Sequence, residues 1–211
     1  GELSETERES LLTQIESIDW NIFSEEARCH APEGEIAPIA GMSTEEIEAR
    51  REEFFAAGKE IIRAGKVAAL LLAGGQGTRL GYDGPKGTMD IGLTHPLYIF
   101  ECLIRNLQEV CRACDAVVPL YIMTSDKTDL ATRTFLKEHN YFGYPQEAVR
   151  FFLQDMAPAT DFDGKILLEG KGRLALSPNG NGGCFSSLRR SGLWEEAAAR
   201  GVEWFNVFAV D

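Results

Sequence analysis

The sequence predicts an α/β fold with a mostly parallel, doubly wound sheet. Continuous apolar runs of strand length occur at 67–72 and 120–123, and such runs suit strands that are buried on both faces, as in parallel sheets. Stretches with helical spacing of apolar residues lie between successive runs, which gives the order β-α-β-α-β. A glycine-rich loop at 73–87 directly follows the first run, at the sheet edge where α/β proteins bind ligands.

The N-terminal part of the chain has a different pattern. A Ser-x-x-Glu capping box followed by apolar residues at helical spacing predicts a helix over 4–18. Proline and glycine residues concentrate at 29–43 and predict a linker. We therefore expect an acidic helical segment with its linker over 1–43, and an α/β domain over 44–211.

Each later element has its own local signal. The helices show apolar residues three and four positions apart, the strands are short apolar runs, and the loops are rich in glycine, proline and asparagine. In chain order we predict a helix from Ser43 to Gly65, strand 67–72, the loop 73–87, a helix after Pro96 through 111, strand 120–123, helix 126–139, strand 149–153, a turn at Asp163 and Gly164, a second glycine-rich loop at 177–183, helix 193–200 and strand 204–210.

Composition argues against several classes of protein. The 211 residues carry 33 acidic and 21 basic side chains, a net charge of −12, whereas nucleic-acid binders normally have a basic face. No apolar run reaches the roughly 18 residues that a membrane-spanning helix needs. The acidic, polar start of the chain is unlike a signal peptide. Five cysteines, an odd number, suit a reducing compartment, so we expect a cytoplasmic protein.

The first glycine-rich loop has the features of a phosphate-binding loop. Glycines let the backbone turn sharply and bring N–H groups close to phosphate oxygens, while Arg79 supplies a bidentate donor and Lys86 a compact positive charge. The dinucleotide fingerprint G-x-G-x-x-G does not fit, because Leu80 occupies the third glycine position. A Walker loop does not fit either, because Lys86 follows a proline and precedes a glycine.

Several motifs together resemble a known family. The loop reads Ala-Gly-Gly-Gln-Gly-Thr-Arg-Leu-Gly at 73–81 and continues with Pro-Lys-Gly at 85–87. This sequence is similar to the signature of the UDP-sugar pyrophosphorylases, and most similar to their UDP-N-acetylhexosamine (UDP-N-acetylglucosamine) branch. Further segments with the same resemblance lie at 121–125, 141–143, 151–158, 162–165, 178–183 and 210–211.

The resemblance implies a fold and a reaction. The fold would be a Rossmann-like sheet of the sugar nucleotidyltransferase (GT-A-like) type, incomplete because members of the family continue well beyond this chain, which alone is expected to be inactive. The reaction would be that of a uridylyltransferase. The phosphate oxygen of N-acetylglucosamine 1-phosphate would attack the α-phosphorus of UTP in line, giving UDP-N-acetylglucosamine and pyrophosphate with Mg²⁺ as cofactor. The expected partners are UTP and a sugar 1-phosphate, with no nucleic acid and no membrane.

The resemblance also implies roles for individual residues. The catalytic residues would be Arg79 and Lys86, and the Mg²⁺ ligand would be Asp211. Gln154 would read uracil, and Asn181 would face the sugar. The residues expected to bind the nucleotide are Ala73, Gly74, Gly75, Gly77, Thr78, Gln154 and Gly180.

Three alternatives stay open on the sequence alone. A runner-up within the same class uses glucose, galactose or N-acetylgalactosamine 1-phosphate as the sugar substrate, because the discriminating contacts lie largely outside this chain. The chain would alternatively be a nucleotide-binding module without catalysis. The third alternative, an NAD-dependent oxidoreductase, is opposed by the displaced third glycine of the loop.

Overall fold

A computed structural model of the protein describes residues 3–18, 20 and 37–210. The chain divides into two compact units. The small unit comprises Gly1–Arg50 and Met156–Ser177, and the large unit comprises Arg51–Asp155 and Pro178–Asp211. The domain boundary expected between residues 43 and 44 stays a prediction.

Helices and strands alternate along most of the described chain. The α-helices are α1 (Glu5–Glu16), α2 (Thr44–Ala49), α3 (Arg51–Arg63), α4 (Ile99–Cys114), α5 (Asp129–Glu138), α6 (Cys184–Arg190) and α7 (Leu193–Ala199). The strands are β1 (Val67–Leu72), β2 (Leu120–Thr124), β3 (Val149–Leu153), β4 (Met156–Pro158), β5 (Leu168–Gly170), β6 (Arg173–Leu174), β7 (Leu176–Pro178) and β8 (Trp204–Ala209).

The large unit is built on a four-stranded sheet in the order β3-β2-β1-β8. Each neighbouring pair in this sheet is parallel. The chain passes from β1 to β2 through α4 and from β2 to β3 through α5, as parallel strands require, because a hairpin cannot join them. The sheet confirms the predicted parallel α/β fold.

Both faces of the central strand β1 are covered. Ala69 and Leu71 belong to a buried cluster that includes side chains of α4 and α5. Ala68 and Leu70, which alternate with them, belong to a second cluster with side chains of α6 and α7. Because successive side chains of a strand point to opposite faces, the continuous apolar run at 67–72 is what a doubly wound sheet requires.

The helix predicted from Ser43 to Gly65 is wrong in its length. Arg50 leaves helical backbone geometry, with φ −112° and ψ 16°, so that the segment forms α2 and α3 instead of one helix. Polar and charged residues surround the break on both sides, and no proline or glycine marks it. The helix predicted at 126–139 is confirmed with a later start, at Asp129.

Capping boxes are present at the starts of α1 and α2. The Ser4 amide donates to Glu7 Oε2 at 2.8 Å, and the Glu7 amide donates to Ser4 Oγ at 3.3 Å. Ser43 and Glu46 repeat the arrangement at the start of α2. Hydrogen bonds from the Ser4 backbone and hydroxyl hold the pKa of the Glu7 carboxyl below its ordinary value, since they favour the charged form.

The small unit contains two short ribbons that the sequence did not predict, β4 with β7 and β5 with β6, and the second of them is antiparallel. Gln14 on α1 binds the second ribbon at two points: its Oε1 accepts from the Leu174 amide and its Nε2 donates to the Gly172 carbonyl, both at 3.0 Å. The predicted turn at Asp163 and Gly164 is confirmed, with Gly164 at φ 82°. No helix in residues 3–18, 20 and 37–210 is long and apolar enough to cross a membrane.

Candidate functional site

The first glycine-rich loop leaves β1 at its carboxyl end and folds back on itself. The Gly77 amide donates to the Gly84 carbonyl at 2.9 Å, and the Lys86 amide donates to the Gly75 carbonyl at 3.2 Å. These bonds flank an antiparallel bridge between Gln76 and Pro85. The loop is therefore a closed, hydrogen-bonded turn, which fixes where its two cations lie.

A cleft of about 380 Å³ opens beside this loop, at the carboxyl ends of β1 and β8. Arg79 is exposed and Lys86 is half-buried, and both line the cleft. Asn181, from the second glycine-rich loop, lines it as well. The residues that line the cleft are Leu72, Gly74, Gly75, Gln76, Arg79, Leu80, Lys86, Asn181, Ala209 and Val210.

Gln154 lies directly against Gly74. A Cβ atom added to Gly74 would lie 2.7 Å from Gln154 Oε1 and 3.0 Å from its Nε2, so a side chain at position 74 would displace this amide. Gln154 is buried, and its backbone amide extends the sheet by donating to the Thr124 carbonyl at 2.8 Å. Within residues 3–18, 20 and 37–210, no protein group hydrogen-bonds the Gln154 side-chain amide. A buried amide with both its donor and its acceptor available suits recognition of a polar ring edge.

Other predicted nucleotide-binding residues shape the loop more than the cleft. Ala73 is buried and its amide donates to the Met123 carbonyl, which prolongs the β1–β2 pairing. Gly77 is buried, and a Cβ there would lie 2.8 Å from the Tyr82 ring. Thr78 begins an exposed 3-10 turn. Their contacts to a nucleotide stay predictions.

The predicted residues Gly180 and Asp211 need separate treatment. Gly180 has φ 77°, in the left-handed region that favours glycine, and a Cβ there would meet open space. Its backbone conformation therefore accounts for the glycine without a protein neighbour. Asp211 lies outside the described residues. Val210, the residue before it, donates its amide to the Leu72 carbonyl and lines the cleft.

The far end of the first loop is anchored in the core. A Cβ on Gly87 would lie 2.4 Å from the Phe100 ring, which is completely buried on α4. Beside it, the Tyr82 hydroxyl lies 2.8 Å from Thr88 Oγ1, which itself donates to the Pro85 carbonyl. This anchor adjoins Lys86 and limits how far the loop can shift.

Asp155 anchors the second glycine-rich loop, a role that sequence analysis missed. Its carbonyl accepts from the Asn179 amide at 3.0 Å, and its own amide donates to Ser187 Oγ at 3.0 Å. Its carboxylate pairs with Arg190 of α6. Ser125, also missed, donates from Oγ to the Gly74 carbonyl at 2.9 Å. Both residues follow a strand at the carboxyl edge of the sheet, which was the available signal.

The family follows from comparison with known proteins. The sequence profile described as UTP–glucose-1-phosphate uridylyltransferase matches residues 21–211. The chain belongs to this family. The resemblance inferred from the loop motifs is thereby confirmed.

Two relatives named for UDP-N-acetylglucosamine are similar to this chain over most of its length. UDP-N-acetylglucosamine diphosphorylase 1 of Arabidopsis thaliana is 34% identical over 233 residues, which cover 100% of this chain and 45% of that protein. UDP-N-acetylglucosamine pyrophosphorylase of Saccharomyces cerevisiae is 40% identical over 185 residues, which cover 84% of this chain and 39% of that protein. The chain thus spans less than half the length of these relatives.

A solved structure of the uridylyltransferase family supports the same likeness. The uridine diphosphate N-acetylglucosamine pyrophosphorylase of Trypanosoma brucei, crystallised with an inhibitor, matches 99% of this chain and 47% of its own chain, with a TM-score of 0.76 and 30% identity. This match confirms the expected sugar nucleotidyltransferase type of fold. The chain spans less than half the length of this neighbour.

Proposed function

We propose that the protein is a uridylyltransferase that converts UTP and N-acetylglucosamine 1-phosphate into UDP-N-acetylglucosamine and pyrophosphate. The observation that carries this proposal is the cleft at the carboxyl edge of the sheet, which Arg79, Lys86 and Asn181 all line. The relatives described above support it, because their names specify this activity. The chain contributes the part of the enzyme that holds UTP.

The proposed reaction requires the protein to position two polyanions and to stabilise the charge that develops on the departing pyrophosphate. The sugar phosphate oxygen attacks the α-phosphorus of UTP in line, so no covalent enzyme intermediate forms. Arg79 offers a planar, bidentate donor and Lys86 a compact positive charge. We assign both to the charge that gathers on the departing pyrophosphate, because fixed donors aimed at such charge lower the barrier most.

The recognition of UTP depends on close backbone approach. Gly74 and Gly75 line the cleft without side chains, so their N–H groups are accessible to the nucleotide. Gln154, held against Gly74, is proposed to bond the imide edge of uracil, which presents both a donor and acceptors. Gly180 is proposed to let the nucleoside approach the backbone, and Asn181 to face the sugar.

A magnesium ion belongs to the proposal, with Asp211 as its protein ligand. Within residues 3–18, 20 and 37–210, no three carboxylate, histidine or cysteine side chains come together as a metal site. The described residues therefore do not form a metal cage. Magnesium in nucleotide sites commonly uses one or two carboxylates with phosphates and waters. When bound, it would neutralise charge on the phosphate oxygens.

Pyrophosphate release from the full-length protein tests the proposal. We expect release when UTP and Mg²⁺ are supplied with N-acetylglucosamine 1-phosphate, and less with the glucose, galactose and N-acetylgalactosamine analogues. Highest turnover with glucose 1-phosphate would reassign the sugar, in line with the name of the family profile. Absence of release with every sugar phosphate would overturn the enzyme and leave a nucleotide-binding module.

We expect the 211-residue chain alone to be inactive, because it spans less than half of its relatives.

We also propose a cytoplasmic location. Its support is that the described cysteines, Cys102, Cys111, Cys114 and Cys184, carry free thiols, as is usual in reducing compartments.

A further inference from the structure

The buried hydroxyl of Ser125 binds the backbone where the first glycine-rich loop leaves the sheet. Ser125 directly follows β2, is 4% exposed, and donates from Oγ to the Gly74 carbonyl at 2.9 Å. This bond is a side-chain contact between neighbouring parallel strands at the point where their backbone pairing stops. It determines which way the Gly74–Gly75 peptide faces.

The strand geometry shows that this peptide is turned. The Leu72 carbonyl faces β8, where it accepts from the Val210 amide, and the Ala73 amide faces β2, where it donates to the Met123 carbonyl. In an extended strand these directions alternate residue by residue, so the next carbonyl facing β8 would be that of Gly74. Ser125 holds it on the β2 side instead.

Turning the carbonyl also turns the N–H group of the same peptide. In a trans peptide the C=O and N–H bonds point in opposite directions, so the Gly75 N–H faces the β8 side. Gly75, Ala209 and Val210 line the cleft on that side. By the alternation of the strand, the Gly74 N–H faces β8 as well. Two successive N–H groups on one side form a concave site for an anion.

These two N–H groups are available to a ligand. Within residues 3–18, 20 and 37–210, neither the Gly74 nor the Gly75 amide donates to a protein acceptor. The Gly75 carbonyl is taken by the Lys86 amide, which fixes the other side of the residue. The bonds to the Gly74 and Gly75 carbonyls thus hold the two N–H donors in place without a ligand.

Thr128 fixes the direction of the Ser125 hydroxyl. Ser125 Oγ lies 2.9 Å from Thr128 Oγ1, and the Ser125 amide donates to Thr128 Oγ1 at 3.0 Å. Each hydroxyl has a single proton to donate. Because the Ser125 proton goes to Gly74, the Thr128 proton is left for the Ser125 hydroxyl at 2.9 Å or the Ser125 carbonyl at 3.4 Å. Thr128 is fully buried, which protects this chain of bonds from water.

We propose that Ser125 is a positioning residue for nucleotide binding, which holds the Gly74–Gly75 peptide so that both N–H groups face bound UTP in the cleft. The proposal rests on the proposed function of this cleft. In this proposal Ser125 contacts neither substrate. Its effect on the reaction passes entirely through the backbone of the loop.

Titration of the full-length protein with UTP tests this role. Ser125→Ala should raise the dissociation constant of UTP about tenfold, the loss of roughly one hydrogen bond. The KM for UTP should rise similarly, while kcat and the KM for the sugar phosphate stay within about twofold. Ser125→Thr, which keeps the hydroxyl, should restore UTP binding.

Thr132→Val is the matched control. Thr132 is fully buried on α5, and its hydroxyl has no partner among the described residues. Removing it should leave UTP binding unchanged, so a general effect of deleting a buried hydroxyl is separated from a positioning effect. Thermal unfolding of each variant shows whether it is folded. If Ser125→Ala does not fold, Ser125→Cys keeps the volume with a weaker donor and takes its place.

The outcomes separate this proposal from the proposed function. Wild-type protein that binds no UTP would overturn both. Wild-type binding together with unchanged affinity in Ser125→Ala, or in its cysteine replacement, would overturn the positioning role and leave the enzyme intact. Equal losses in Ser125→Ala and Ser125→Thr would also contradict it, because the hydroxyl would then not be the cause.

Discussion

Arg79 lies on an exposed 3-10 turn and lines the cleft. Its side chain makes no hydrogen bond to the described part of the chain, so its donors are available to a ligand. Arg79→Ala should therefore lower kcat by about two to three orders of magnitude with a smaller change in the KM for UTP, because it acts on charge that develops in the transition state. Steady-state pyrophosphate release from the full-length protein measures both constants.

The matched control for this substitution is Arg105→Ala. Arg105 is an exposed arginine on α4 that pairs with Glu101, outside the residues that line the cleft. Its removal should leave kcat and KM unchanged. Wild-type turnover in Arg79→Ala would remove Arg79 from the catalytic residues.

Gln154 is expected to determine which nucleotide binds. Its amide, held against Gly74, is the only buried glutamine side chain among residues 3–18, 20 and 37–210. Gln154→Ala should lower the preference for UTP over other nucleotides about tenfold or more, the cost of an unpaired polar edge. Competition binding with UTP, CTP and GTP measures this preference, and exposed Gln146 supplies the control as Gln146→Ala. An unchanged preference in Gln154→Ala would rule out the uracil role.

A site residue could be predicted from the sequence only where the neighbouring residues form a recognisable pattern. Arg79 and Lys86 stand in a glycine-rich loop after a strand, and the structure brings both to one cleft. The contact between Gly74 and Gln154 joins positions 80 residues apart, and only the sheet order brings them together. Ser125 resembles any serine after a strand until its bond to Gly74 is seen.

At the scale of elements, the strands with continuous apolar runs were predictable and the breaks were not. The predicted bounds of β1 agree with the structure, because burial on both faces leaves a continuous apolar run. The predicted bounds of β3 agree as well, although this edge strand is only partly buried and contains Arg150. The break at Arg50 has no local marker. The ribbons of the small unit have strands of two or three residues, too short for alternation to show.

The anchor between the first loop and α4 gives a prediction about stability. Gly87→Ala would place a methyl group 2.4 Å from the Phe100 ring, so it should lower the free energy of unfolding by about 1–3 kcal/mol through overpacking. Gly58→Ala is the control within α3, where a Cβ meets open space. There the free energy of unfolding should rise by about 0.5–1 kcal/mol, because alanine favours the helix. Chemical denaturation of both variants measures the difference, and a Gly87→Ala variant as stable as wild type would contradict the anchor.

For the whole molecule, charge and function are separated along the chain. Residues 1–66 hold 16 acidic and 7 basic side chains, a net charge of −9, whereas 67–211 hold 17 acidic and 14 basic ones, a net charge of −3. All residues that line the cleft belong to the second group. The proposed polyanionic substrate would therefore meet the nearly neutral part of the chain, where like-charge repulsion is smallest.

This separation predicts where a bound nucleotide protects the backbone. In hydrogen exchange of the full-length protein, saturating UTP should slow exchange at 73–87 and 178–183, because the cleft lies between these loops and the Gly74 and Gly75 amides gain acceptors. At a hundredfold excess over the dissociation constant the slowing is up to about a hundredfold. Exchange in α1 should not change, since no α1 residue lines the cleft. GTP at the same concentration should protect less. Equal protection of α1 and the loops would mean that UTP acts by general stabilisation, and the assignment of the cleft as the nucleotide site would fail.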